Sequence, residues 1–184
     1  MNRMLLRLLA TALLIGVVAV DSFATQVIQK SPKELAQASP LVVDGKVQSV
    51  RSYWNDDHSK IFTEALVAVA STHKGAAAPS VRVVQPGGVV GNVRMTAHGA
   101  LQWKKGEEVL LFLEPATPGA FQVAGFSQGK FLIERDPQSG TPFVKQAIPP
   151  DTDSKTPANG ANTTARTTEK LTLEQFLDRV LPNE

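Results

Sequence analysis

The chain has 184 residues, of which 42% are hydrophobic and 20% charged, with no cysteine and a formal net charge of +2. That length fits one domain with extra segments, and a body of this size buries roughly two-thirds of its unfolded surface without covalent staples. The lack of thiols excludes thiolate catalysis, thiolate metal sites and disulfide exchange in this chain. The near-neutral balance gives no bulk electrostatic reason to seek nucleic acid or an acidic membrane.

Arg3 and Arg7 precede an apolar run from Leu8 to Val20, and Ser22-Phe23-Ala24 places small residues at a cleavage point. This is the three-part layout of a secretory signal peptide, read here over residues 1–24. Its apolar part is about thirteen residues, short of the ~20 needed to span a bilayer; an uncleaved anchor is the alternative. No cysteine follows the cleavage point to carry a lipid. Cleavage removes two positive charges and one negative (Arg3, Arg7, Asp21), leaving +1. The expectation is a secreted or periplasmic protein with no stable membrane association.

Ser31-Pro32-Lys33-Glu34 predicts a short helix with Ser31 as cap, halted at Ser39-Pro40. Leu41 to Tyr53 predicts a strand with Leu41, Val43, Gly45, Val47 and Ser49 on one face and Asp44, Lys46 and Gln48 on the other. Gly45 inside it signals a bulge or bend. Asn55 to Ser59 is a polar turn, and Ile61 to Thr72 returns as the second arm of a hairpin. Val81–Gln85 and Asn92–Ala97 read as further strands, the latter with Val93 and Met95 inward. Val109 to Leu113 is an unbroken apolar run closed by Glu114-Pro115, too short for a helix and suited to a strand buried on both faces.

Phe121–Ala124, Lys130–Arg135 and Pro142–Gln146 complete a meander with glycines at its turns. Short strands at this spacing predict a small antiparallel β-barrel or sandwich over 25–147. Residues 148–170, rich in Thr, Asn, Pro and Ala, read as a flexible linker. Thr172 to Gln175 repeats the capping pattern and starts an amphipathic helix within 171–184, with Leu173, Phe176, Leu177 and Val180 on one face. That face must cover an edge of its own barrel or a partner.

These residues carry a likeness. Asp44-Gly45-Lys46-Val47, His73-Lys74-Gly75 after the return strand and Gly106-Glu107-Glu108-Val109-Leu110-Leu111-Phe112-Leu113 together resemble the netrin-like, OB-type barrel of tissue inhibitors of metalloproteinases. A nearer likeness is to exported bacterial proteins sharing the Pro86-Gly87-Gly88, Gly106–Leu113 and Gln128-Gly129-Lys130-Phe131 signatures, some of which accompany secreted metalloproteases. The resemblance spans Ser31 to Arg135 and implies an OB/netrin-like fold and, by family analogy alone, association with a secreted metalloprotease. The inhibitors grip the protease zinc through an N-terminal cysteine; this chain has none, so that mechanism does not carry over.

Several residue groups could carry chemistry. Asp56, Asp57 and His58 offer oxygen and nitrogen ligands for a divalent metal, and so a metal-dependent hydrolase. The same letters are what a hairpin turn needs, because Asn and Asp bond their own backbone. His73 and His98 stand without a second ligand at useful spacing. Gly125-Phe126-Ser127-Gln128-Gly129 spells a nucleophile elbow but precedes a strand rather than a helix, which argues against one. Glu107 and Glu108 are neighbours on a strand, point apart, and read as a solvated turn. Pro86 to Gly91 lacks the helix a phosphate cradle requires.

Tyr53, Trp54, Trp103 and Phe126, with Arg94 nearby in sequence, could form an aromatic platform for glycans or oligonucleotides; packing in the core or rim is the competing account. The composite expectation is a non-enzymatic protein-binding module needing no cofactor and binding no nucleic acid. A metal-dependent hydrolase and an aromatic-faced glycan or nucleic-acid binder are the alternatives.

Overall fold

The computed structural model describes residues 29–76, 79–97, 99–147 and 170–181. The signal peptide read over 1–24, His98, the linker apart from residue 170, and the terminal residues 182–184 lie outside the described residues.

Helix α1 (Pro32–Ala38) forms as its residues require. The Ser31 side chain accepts from the Glu34 backbone N–H, and the Glu34 carboxylate accepts in return from the Ser31 N–H, with Pro32 set for the first turn. At its end the Ser39 hydroxyl donates to the Leu35 carbonyl at 2.7 Å. Leu35 and Ala36 are buried.

Strands β1 (Leu41–Trp54) and β2 (Ile61–Lys74) form the long antiparallel hairpin expected, from Trp54↔Ile61 back to Val42↔Lys74, with three bulges. One bulge falls at Gly45, where a Cβ would sit 2.1 Å from the Ala68 carbonyl oxygen. Close backbone approach therefore requires glycine here. The strands β3 (Ser80–Pro86), β4 (Gly88–Val90), β5 (Val93–Met95), β6 (Glu108–Thr117), β7 (Ala120–Val123), β8 (Lys130–Arg135) and β9 (Pro142–Gln146) follow, then helix α2 (Leu173–Val180).

The molecule is mainly β, and five strands run in a ring in the order β1-β2-β3-β7-β6, with β6 returning to β1. All the ring pairings are antiparallel except β3 with β7, which meet in parallel at Val83↔Phe121. β8 and β9 extend the sheet from β6.

β6 shows why its sequence is apolar without a break. Val109, Leu111 and Leu113 face the ring interior with Val43, Val47, Ala65, Val67 and Val83. Leu110 and Phe112 face the other way, onto Leu35, Val42, Phe131, Phe176 and Val180. All five residues from Val109 to Leu113 are fully buried. Each such side chain contributes roughly 1.5–3 kcal/mol relative to exposure.

Two sequence expectations need correction. β6 does not stop at Glu114-Pro115 but runs to Thr117, with an irregularity between Pro115 and Thr117 that accommodates a residue lacking an N–H. The segment expected as a strand over Asn92–Ala97 is only Val93–Met95. It pairs with β4 in a separate two-stranded sheet, and Val93 is 47% exposed rather than inward. The hairpin rests on β1 and β2 at its Gly88–Met95 end, while Val93, near its tip, stays exposed.

Of the two covers open to the terminal helix, the structure takes the intramolecular one. Phe176 meets Phe131 at 4.9 Å between ring centroids, and Thr172 bridges to Phe143. The Thr172–Gln175 capping box forms as read.

Candidate binding site

Beyond Lys46, β1 leaves β6 behind. The two strands pair over Leu41–Lys46, and a last contact joins Val47 to Gly106 and Glu107. The hairpin continues outward, so the ring opens at this end. Its floor is one cross-strand row, Ser52 on β1, Thr63 on β2 and Gln85 on β3, set by the pairing registers. These continue in polar form the interior face that Ala65 and Val83 occupy deeper in the ring.

The β4–β5 hairpin folds over this floor. Gly87 donates to the Ile61 carbonyl at 2.8 Å, and the Thr63 hydroxyl donates to the Gly87 carbonyl at 2.8 Å. Gly88 lies so close that a Cβ would come within 2.5 Å of both the Ser52 and Thr63 hydroxyl oxygens, and its φ is +144°. The Pro86-Gly87-Gly88 motif therefore brings a hairpin down onto a sheet.

The opposite wall is the segment Ala100–Lys104. The Gln85 amide donates to the Leu101 carbonyl at 2.7 Å, and its oxygen accepts from Leu101 N–H and from Trp103 Nε1 at 3.1 Å. Between the walls lies a groove of about 640 Å³ lined by Val50, Ser52, Thr63, Val89, Arg94 and Lys104 among others.

Behind Trp103 lies a group that sequence reasoning missed. Lys130 is 1% exposed; its ammonium sits 4.1 Å from the Trp103 ring centroid and donates to the Gln102 carbonyl and to Glu107 Oε1, both at 2.6 Å. Burial pushes the Lys130 ammonium below its ordinary pKa, and the Glu107 carboxylate opposes that shift. Glu107 is thus a structural counter-ion rather than a solvated turn residue, and Glu108 instead pairs with Arg135 at 2.8 Å. A lysine opening the apolar strand Lys130-Phe131-Leu132-Ile133 was the only hint in the sequence.

The aromatic candidates do not converge. Tyr53 stacks on Phe62 across the hairpin with Arg51 over its ring, while Trp54 stacks on His58 at the hairpin tip. Trp103 is held by Gln85 and Lys130 and packs on the ring core. Phe126 is 58% exposed and lines a neighbouring recess of about 100 Å³ with Pro86 and Glu114. Of the expected binding residues, Arg94 and Trp103 alone share the groove.

Asp56, Asp57 and His58 form the turn between β1 and β2. Hydrogen bonds from the Ser59 hydroxyl, and then from the Ser59 backbone N–H, hold the Asp57 carboxyl below the usual range, and His58 adopts φ +56°. Asn55 closes the same turn by accepting from Lys60 N–H. Among the described residues no group of three or more histidines and carboxylates gathers in metal-binding geometry. His73 contacts Asp44 at 2.6 Å, beside α2. Ser127 is buried within the turn joining β7 to β8, without the strand-to-helix setting of a nucleophile elbow.

Comparison with models of known protein families and with curated proteins finds no match. Among the described residues no helix is long and apolar enough to cross a membrane.

Proposed function

We propose that the protein is an exported, non-enzymatic protein-binding module built on an OB/netrin-like ring, and that the open end of the ring is its working surface. Five strands in a partly open ring with one parallel contact support the OB-type reading. The binding reading rests on the groove. Val50 and Val89 are 36% and 43% exposed on its walls, beside Arg94 and Lys104, whose side chains have no hydrogen bond or ion pair among the described residues. Other charged groups, including Glu64, Glu107, Glu108 and Lys130, are spent on internal pairs. Apolar exposure rimmed by uncommitted polar groups is the mark of an interaction surface.

The test is co-purification of the tagged mature chain with the secreted and periplasmic proteins of its host, followed by reconstitution from purified components. Wild type forms a stoichiometric complex, and Val50→Asp with Val89→Asp loses it. Failure of wild type to form any complex, or an undiminished complex with the double variant, refutes the proposal.

A further inference from the structure

We propose that the groove receives an extended, acidic segment of a partner protein, added as a strand along the free margin of β1. This inference rests on the protein-binding reading above and names the chemistry of the partner at the same site.

Three observations lead to it. First, from Gln48 to Trp54 β1 is paired on one side with β2, and among the described residues no strand pairs with its other side. A free margin of that kind offers backbone donors and acceptors to an incoming chain. Second, the groove reaches that margin, where Val50 and Ser52 of β1 line it. β6 lies against β1 as far as Lys46, and the preceding residues at Gln102–Lys104 then diverge to form the far wall of the groove. An incoming strand would take up the course that β6 leaves. Seven residues of β1 at ~3.3 Å each give a margin of about 23 Å, room for a segment of about six residues.

Third, the charge has one sign. Arg94 on the hairpin wall and Lys104 on the far wall both line the groove, and among the described residues no carboxylate does. Arg51, on the same margin, already shares Glu64 with Arg82. Alternate side chains of an added strand would meet Val50 and Val89 on one face. Carboxylates on the partner would meet Arg94 and Lys104, gaining charge-assisted hydrogen bonds.

The test uses the full mature chain and a fluorescein-labelled eight-residue peptide of alternating valine and glutamate, read by fluorescence anisotropy. Controls are the valine–lysine counterpart and a valine–glutamate peptide methylated on alternate backbone nitrogens. The expected result is binding of the first peptide, weakened at least ten-fold by N-methylation, by Arg94→Glu with Lys104→Glu, and by exchange of glutamate for lysine. Circular dichroism and melting of the variant match wild type, because both residues are exposed.

No binding of the valine–glutamate peptide, equal binding of the lysine peptide, or indifference to N-methylation overturns the inference. So does a concentration-dependent dimer in sedimentation that Val50→Pro abolishes, which would assign the margin to a second copy. A complex with the native partner that survives Arg94→Glu with Lys104→Glu removes this inference and leaves the protein-binding reading standing; absence of any complex with wild type removes both.

Discussion

Replacing Glu107 by alanine tests the reading of the Lys130 cluster. The substitution strips from an ammonium that is 1% exposed the only carboxylate that pairs with it among the described residues, and leaves it the Gln102 carbonyl and the face of Trp103. Removing one partner of a buried ion pair costs about 3–5 kcal/mol, because the remaining charge is neither solvated nor neutralised. Glu107 retains 16% of its side-chain exposure, so water reaches the site in part and the lower end, about 3 kcal/mol, applies.

The penalty has a definite pH dependence. With Glu107 gone, burial and, after it, the nearby Lys104 charge act unopposed on Lys130, and its folded pKa falls further below the ordinary 10.5. Between that lowered value and 10.5 the unfolded chain binds more protons than the folded one, so stability rises with pH. The deficit of Glu107→Ala against wild type is therefore largest near neutrality and shrinks toward pH 10. A double variant, Lys130→Met with Glu107→Gln, replaces the pair without leaving a stranded charge and stays within about 1 kcal/mol of wild type. Urea unfolding at pH 7 and pH 10 measures all three proteins. A single variant within 1 kcal/mol of wild type, or a double variant worse than the single, refutes the account.

Phe176→Ala removes the ring that α2 sets against Phe131 and Phe112, and costs about 3 kcal/mol in the same unfolding assay if the helix docks as described. Gly45→Ala drives a methyl group into the Ala68 carbonyl across a bulge that cannot shift without breaking the hairpin; the variant melts well below wild type or fails to accumulate as folded protein. Hydrogen bonds from Arg51, and then Arg82, hold the Glu64 carboxyl below its ordinary 4.5, so its stabilisation is present above that pH and lost as pH falls through the lowered value. Glu64→Gln flattens this part of the acid limb in a melting-temperature profile, and added salt reduces the difference, since Arg51 and Arg82 are largely exposed.

The elements that depend on local chemistry were legible in the chain. Both capping boxes, the β1–β2 hairpin, the bulge at Gly45 and the doubly buried Val109–Leu113 follow from neighbours in sequence, and each is present. The Asn55–Ser59 turn also forms as its residues favour. What escaped depends on residues far apart. Nothing near Lys130 in sequence announces that Glu107 and Trp103 will enclose it, because that contact exists only once β8 lies beside β6.

Val93 went wrong for the converse reason. Alternation of apolar and polar residues predicts a face, but whether a layer lies against that face is a property of the whole fold. The groove was similarly hidden. Its floor residues Ser52, Thr63 and Gln85 come from three strands, and only the registers align them.

The way the chain closes on itself at β9 bears on how the protein ages. β9 would end the sheet, yet Leu171 accepts from Val144 and Thr172 bridges to Phe143, so residues just ahead of α2 serve as a stopper on that last rung. Trimming by a host peptidase ahead of Leu171 would remove stopper and helix together. It would bare Phe131, Ile133 and Val144 beside a row of unanswered amides, a combination prone to fibrous self-assembly. The intact sheet margin at β9 thus depends on Leu171, Thr172 and the helix that follows them, none of which lines the proposed groove.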